Sequence, residues 1–204
     1  MSGQPFQMNG WIAAAIIVGG VMMVGATALA LLRRQRPAGS FLWVAVAAAG
    51  YALLALAAAL YGRQPDGLQA ALLQVLAVVL AAALGAASFV GQPGDGSSLP
   101  AAGRLVAWLA LLGFPPTIGF HGRILVYRAL LAVDWNWLLV LAMAVSAASL
   151  APALGAIRTA KRTSARGLHA AIIALLLAAV FLLGICPQWA LDVVGCAGNA
   201  AGTR

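Results

Sequence analysis

Between residues 111 and 124 the chain reads Leu-Leu-Gly-Phe-Pro-Pro-Thr-Ile-Gly-Phe-His-Gly-Arg-Ile. His121, Arg123 and, further along, Arg128 are the groups here whose charge could handle an ion or a proton. They follow directly on Pro115-Pro116, in the middle of an apolar stretch from Leu105 to Val133. A proline has no N–H, so it breaks a helix and frees carbonyls upstream. Inside lipid such groups need partners from protein or water. A charge at that depth marks a functional site by default, and discontinuous helices with nearby charge are how many transporters build ion sites. Gly113, Gly119 and Gly122 complete this broken-helix motif. The plainer reading is a proline kink with arginines that snorkel toward the surface.

The rest of the chain offers little to complete a proton path. The four acidic residues are Asp66, Asp95, Asp134 and Asp192, all in loops or at span ends, and there is no glutamate. A proton carrier in the membrane usually needs a buried carboxylate, lysine or histidine. His121 is the one titratable group at useful depth; its alternative role is a neutral ring hydrogen-bonded to carbonyls freed by the prolines. His169 reads as interfacial, beside a basic loop. Ser146 and Ser149 read as bonding their own helix carbonyls, and Asp134 with Asn136 as a turn or cap. Cys186 and Cys196 flank the end of the last span and could pair only if the chain folds back, so free thiols are expected. No Cys/His cluster suggests a metal, no motif calls for a cofactor, and no catalytic residues stand out.

The elements that hold these residues are membrane spans. Of 204 residues 64% are hydrophobic and 8% charged, which excludes an ordinary soluble domain. About twenty apolar residues cross a bilayer as a helix. The expected spans are Trp11–Leu32, Phe41–Tyr61, Leu68–Val90, Leu105–Val133, Trp135–Ile157 and Leu168–Leu191. The reading is an all-α, polytopic membrane bundle of six transmembrane helices, the fourth broken at Pro115-Pro116, in a single membrane domain over residues 1–204. The first span is too long for a signal-peptide core and its charges follow it, so it reads as a retained span.

The formal charge of +8 is a topology signal rather than a nucleic-acid signal, because the basic residues cluster in short loops, Arg33-Arg34-Gln-Arg36 and Arg158 to Arg166. Six spans place Arg33, Arg34, Arg36, Arg104, Arg158, Lys161, Arg162 and Arg166 on one side, and Arg63 and Arg204 on the other. The basic side then faces the cytoplasm or matrix, and both termini face the outer, periplasmic or intermembrane, side. Trp11, Tyr61, Trp135, Trp137 and Trp189 fall near span ends on the low-charge side, as an aromatic belt does, whereas Tyr51 is mid-span. Anionic lipid headgroups are further partners for the basic loops. Ala/Gly-rich faces, such as Gly19-Gly20, let helices approach closely.

The motif of residues 111–124 resembles the twelfth-helix motif of antiporter-like subunits of respiratory complex I, whose typical form is Leu-Ala-Gly-Ile-Pro-Pro-x-x-Gly-Phe-x-Gly-Lys-Phe. It is most similar to that of subunit N, the mitochondrial subunit 2. Trp135–Ile157 and Leu168–Leu191, with Leu-Leu-Gly-Ile-Cys-Pro, resemble the thirteenth and fourteenth helices. Thr27-Ala-Leu-Ala-Leu-Leu-Arg-Arg-Gln resembles the end of the ninth, and Ala48-Ala-Gly50-Tyr51 falls where the family has His-x-Gly-Tyr. The resemblance covers the last six helices of a fourteen-helix family, truncated and degenerate. Arg123 stands where the family has lysine, and Ala48 where it has histidine; Ala38 lies near another of its basic positions. A lysine in a dry site can be pushed toward neutrality and pass on a proton; an arginine stays charged. Arg123 is then expected to pair with a carboxylate of a neighbouring chain or to bind carbonyls freed at the break.

The resemblance implies a membrane-arm subunit of a complex I-type NADH:quinone oxidoreductase, structural and not itself proton-pumping, whose partners are other membrane-arm subunits. Arg123 and His121 hold the family's ion-path position. The alternatives are a structural subunit of a related membrane-bound hydrogenase or cation/proton antiporter complex, or a small freestanding transporter, which the missing carboxylates oppose.

Overall fold

The computed structural model describes residues 9–33, 36–62, 65–89, 92–93, 99–158, 163–164, 167–186 and 188. Arg34, Arg63, Asp95, Lys161, Arg162, Arg166, Trp189, Asp192, Cys196 and Arg204 lie outside them, as does the Leu191 end of the last expected span.

The apolar runs form helices α1 (Gly10–Leu32), α2 (Pro37–Gly62) and α3 (Pro65–Phe89), then α4 (Leu99–Leu112) and α5 (Ile118–Ala132) either side of the prolines. They continue as α6 (Asn136–Ala148), α7 (Leu150–Arg158) and α8 (Leu168–Ile185). Among the described residues five helical segments are long and apolar enough to cross a membrane, α6 and α7 counting as one from Asn136 to Ala156. The shorter α4 and α5, 14 and 15 residues long, make the sixth passage between them. The chain is a polytopic helical membrane protein.

Several boundaries move: α2 begins at Pro37 rather than Phe41, and α3 at Pro65 rather than Leu68. The helix expected to begin at Leu105 begins at Leu99, so Arg104 is a helix residue, buried, with Nη1 donating to the Ser88 carbonyl at 3.3 Å. The last helix ends at Ile185, and its Cys186 cap has φ −117° and ψ 66°. Cys186 precedes Pro187, and the residue before a proline is steered away from helical geometry. Cys186 is free and exposed.

Helix α2 is the most enclosed crossing, 67% buried over its apolar window, and α8 the least, at 17%. Small residues make that enclosure close: a Cβ on Gly19 would lie 3.0 Å from the Gly50 carbonyl oxygen, so α1 and α2 touch backbone to backbone. α3 packs against α2, α4, α5 and α8. One apolar cluster is built on Phe41, with Trp108 edge-on at 5.2 Å and Phe89 at 5.6 Å. The other holds Met23, Tyr51, Leu54, Val126 and Leu138. Tyr61 and Trp135 stack at 5.1 Å. Two short strands, β1 (Gln92–Pro93) and β2 (Thr163–Ser164), pair antiparallel and tie the α3–α4 loop to the α7–α8 loop. Both loops therefore lie at one end of the bundle.

Candidate functional site at the broken helix

Helix α4 ends by a mechanism its sequence dictates. Gly113 takes φ 72°, which only glycine adopts without strain. The Phe114 N–H then bonds the Leu109 carbonyl at 2.9 Å and the Gly113 N–H the Ala110 carbonyl at 3.2 Å, the paired bonds of a Schellman cap. In a continuous helix Leu111 would accept from the N–H of residue 115, but that residue is proline. Its carbonyl is left without a backbone donor. The Pro115–Pro116 peptide is cis. Thr117 closes the gap, its Oγ1 donating to the Phe114 carbonyl at 2.6 Å, and α5 starts at Ile118.

Arg123 fills the vacant acceptor. Its Nη2 donates to the Leu111 carbonyl at 2.7 Å, and its Nη1 donates to Ser146 Oγ on α6. The guanidinium carbon lies 4.0 Å from the Tyr51 ring centroid, a cation–π contact. The side chain is 4% exposed. Tyr127, one turn after Arg123 and so on the same face, shares a hydroxyl–hydroxyl hydrogen bond with Ser146 Oγ at 2.9 Å. Ser146 Oγ donates to the Ala142 carbonyl of its own helix at 2.9 Å and lies 2.7 Å from Tyr51 Oη, a further hydroxyl–hydroxyl hydrogen bond. Tyr51 Oη donates to the same Ala142 carbonyl at 2.6 Å.

Among the described residues no carboxylate bonds Arg123; Arg128 pairs with Asp66, at 3.7 Å and largely exposed. The charge of Arg123 is instead compensated by the C-terminus of α4, where aligned carbonyls carry the negative end of the helix dipole, and by the Tyr51 ring. The groups around it are hydroxyls, phenols and carbonyls.

His121 stands elsewhere. It is not bonded to a freed carbonyl: its Nδ1 is buried without a hydrogen-bond partner, and the ring meets Phe120 edge-on at 5.6 Å. Two residues before Arg123, it points about 200° away around the helix, so the break and His121 face different ways. Ser146 and Ser149 do bond their own helix, to Ala142 and Val145, but Ser146 also links three other side chains. His169 Nε2 bonds the Ala87 carbonyl at 2.7 Å, tying α8 to α3.

The glycines let the pieces meet. A Cβ on Gly119 would collide with the Ala110 carbonyl oxygen, so α4 and α5 touch backbone to backbone across the break. Gly122 lies against Gln74 of α3, a buried amide whose Nε2 donates to the Ala48 carbonyl at 3.4 Å. Gly184 of α8 similarly admits the Pro116 carbonyl oxygen. The sequence reading did not assign Tyr127, Gln74 or Gly184 to this site. For Tyr127 the signal was present in its four-residue spacing from Arg123; Gln74 was visible as a lone amide in mid-span. Among the described residues no group of three potential metal ligands occurs.

No family model matches the sequence. The chain is similar to the NADH-quinone oxidoreductase subunit N of Desulfovibrio desulfuricans, 32% identical over 71% of this chain and 35% of that protein. It is also similar to the subunit N of Chlorobium chlorochromatii, 30% identical over 69% of this chain and 29% of that protein. It thus spans about a third of the length of these curated relatives.

Proposed function

We propose that this chain, similar to NADH-quinone oxidoreductase subunit N over about a third of that protein's length, occupies a place in the membrane arm of an NADH:quinone oxidoreductase without itself pumping protons. The observation that carries this reading is the fixed arginine at the break. Arg123 closes on the Leu111 carbonyl that Pro115 leaves without a donor, stacks on Tyr51 and bonds Ser146. A relay needs groups that gain and lose protons within reach of one another. Here the central group is a guanidinium and its neighbours serve as its hydrogen-bond and cation–π partners. The arginine is a clasp that makes a broken helix stable in lipid.

In this reading the basic loops face the cytoplasm or matrix, and neighbouring membrane-arm subunits cover faces the chain leaves open, among them the exposed Trp137, Val140 and Met143 of α6. Purification from native membranes in mild detergent, with every co-migrating chain identified, tests the placement. Co-migration with other membrane-arm subunits and NADH:quinone activity is expected. A monodisperse chain alone, or co-migration with hydrogenase or cation/proton antiporter subunits, overturns it.

A further inference from the structure

Away from the break, a groove of about 280 Å³ opens on the outer face of α1, α2 and α3. Met22 of α1, Ala49, Ala52 and Leu53 of α2, and Val75 and Val79 of α3 line it. The lining is apolar throughout, and alanines form its floor.

From the groove, stripes of residues at helical spacing run toward one end of the bundle. On α2 the partly exposed Leu53, Ala49 and Val46 lead to Trp43 at helical spacing. On α1 the same spacing leads from Met22 over the buried Ala26 and past the half-buried Leu29 to Arg33. On α3 Val79 is followed by Ala82 and Ala86, both at least partly open. The α1 and α2 stripes converge on one contact, because the Arg33 guanidinium lies 5.6 Å from the Trp43 ring centroid. Arg36 lies next to it, its N–H bonded to the Arg33 carbonyl at 2.8 Å. Both arginines are exposed.

We propose that this groove binds one phospholipid with an anionic headgroup, its phosphate on Arg33 and Arg36 and one acyl chain along the alanine floor. The dimensions select the occupant. The α2 stripe that links the groove to the Arg33–Trp43 contact, from Leu53 to Trp43, is ten residues, about 15 Å of helix, or half of a hydrocarbon core about 30 Å thick. That is the depth of one leaflet. A partner helix crosses both leaflets, whereas an acyl chain ends at the midplane. The charge also selects: two arginines stand at the mouth, and no acidic residue lies between Asn9 and Tyr61. Trp43 holds the Arg33 guanidinium at headgroup level, where tryptophan and arginine both favour the interface.

The test uses the full chain in vesicles of about three parts phosphatidylcholine to one part phosphatidylglycerol, with a photoactivatable diazirine in the acyl chain of one lipid or the other. Cross-links mapping to Met22, Ala49 and Val79, corrected for lipid abundance, are expected to favour phosphatidylglycerol about thirtyfold, the ratio equivalent to two basic residues at an anionic surface. Arg33→Gln should lower that ratio about fivefold while leaving phosphatidylcholine cross-links in place. Ala49→Phe should remove groove cross-links from both lipids and leave labelling at Leu175, on the open face of α8, unchanged. Equal labelling by the two lipids in the wild type overturns the headgroup assignment, as does an unaltered ratio in Arg33→Gln. Groove labelling no stronger than at Leu175 overturns the groove, and a chain-to-chain cross-link there makes it a protein interface instead.

Discussion

Two helices in this chain are interrupted by proline, and they are mended differently. In α6–α7, Pro152 removes the donor for the Ala148 carbonyl, and Ser149 alone leaves the helix, its Oγ donating to the Val145 carbonyl at 2.8 Å. The two segments still read as one crossing. Between α4 and α5 the prolines are paired and follow Gly113, and five residues leave the helix. There the mending group is a cation brought from α5, with a ring from α2 and a hydroxyl from α6 around it. A single missing donor is absorbed within one turn. A gap of this width needs a long, multivalent side chain, and arginine has five N–H donors in a fixed fork.

That contrast is broken most severely at Arg123. Arg123→Ala leaves the Leu111 carbonyl buried without a donor and removes a charged hydrogen bond, so a loss of about 3 kcal/mol is expected. Thermal unfolding in detergent reads it. A variant as stable as wild type would mean that the break closes without the clasp.

Gly119→Ala strikes the same junction through shape. Its Cβ would collide with the Ala110 carbonyl oxygen, and overpacking of this kind costs about 2 kcal/mol. Gly20→Ala is the control, since nothing lies within 4 Å of that position; it should be neutral or slightly stabilising in the same melt. Equal effects at the two glycines would mean that the close approach of α4 to α5 is not required.

The single-proline break should tolerate repair. Pro152→Ala restores an N–H for Ala148, and a change under about 1 kcal/mol is expected. Destabilisation matching that of Arg123→Ala would show that both breaks are built alike. Smallest of all should be Arg128→Gln, outside both breaks. Its ion pair with Asp66 is 3.7 Å long and more than half exposed on the arginine side, so a change below about 0.5 kcal/mol is expected. A larger loss would place Arg128 in a buried partnership.

The spans and the broken fourth helix were legible in the sequence because apolar length and proline position act locally. Boundaries were less so. Residues 99–104 carry a proline and an arginine and read as loop, yet Arg104 is buried against α3. At the site, Arg123 was visible as a charge in an apolar run. Its partners were not, since Tyr51 and Ser146 stand 72 and 23 positions away from it and only packing brings them together. The freed carbonyls were expected to be bound by His121 or by Arg123, both close in sequence. The helix turns His121 away, and Arg123 and Thr117 take them.

The central claim is that Arg123 holds structure and carries no protons. Proton pumping per electron pair, measured in vesicles reconstituted with wild type, Arg123→Ala and His121→Ala assemblies, tests it most directly. The account predicts an unchanged ratio in both variants, with Arg123→Ala lowering only the amount of assembled complex. Normal assembly with a reduced ratio in both would contradict it and make this chain a working channel.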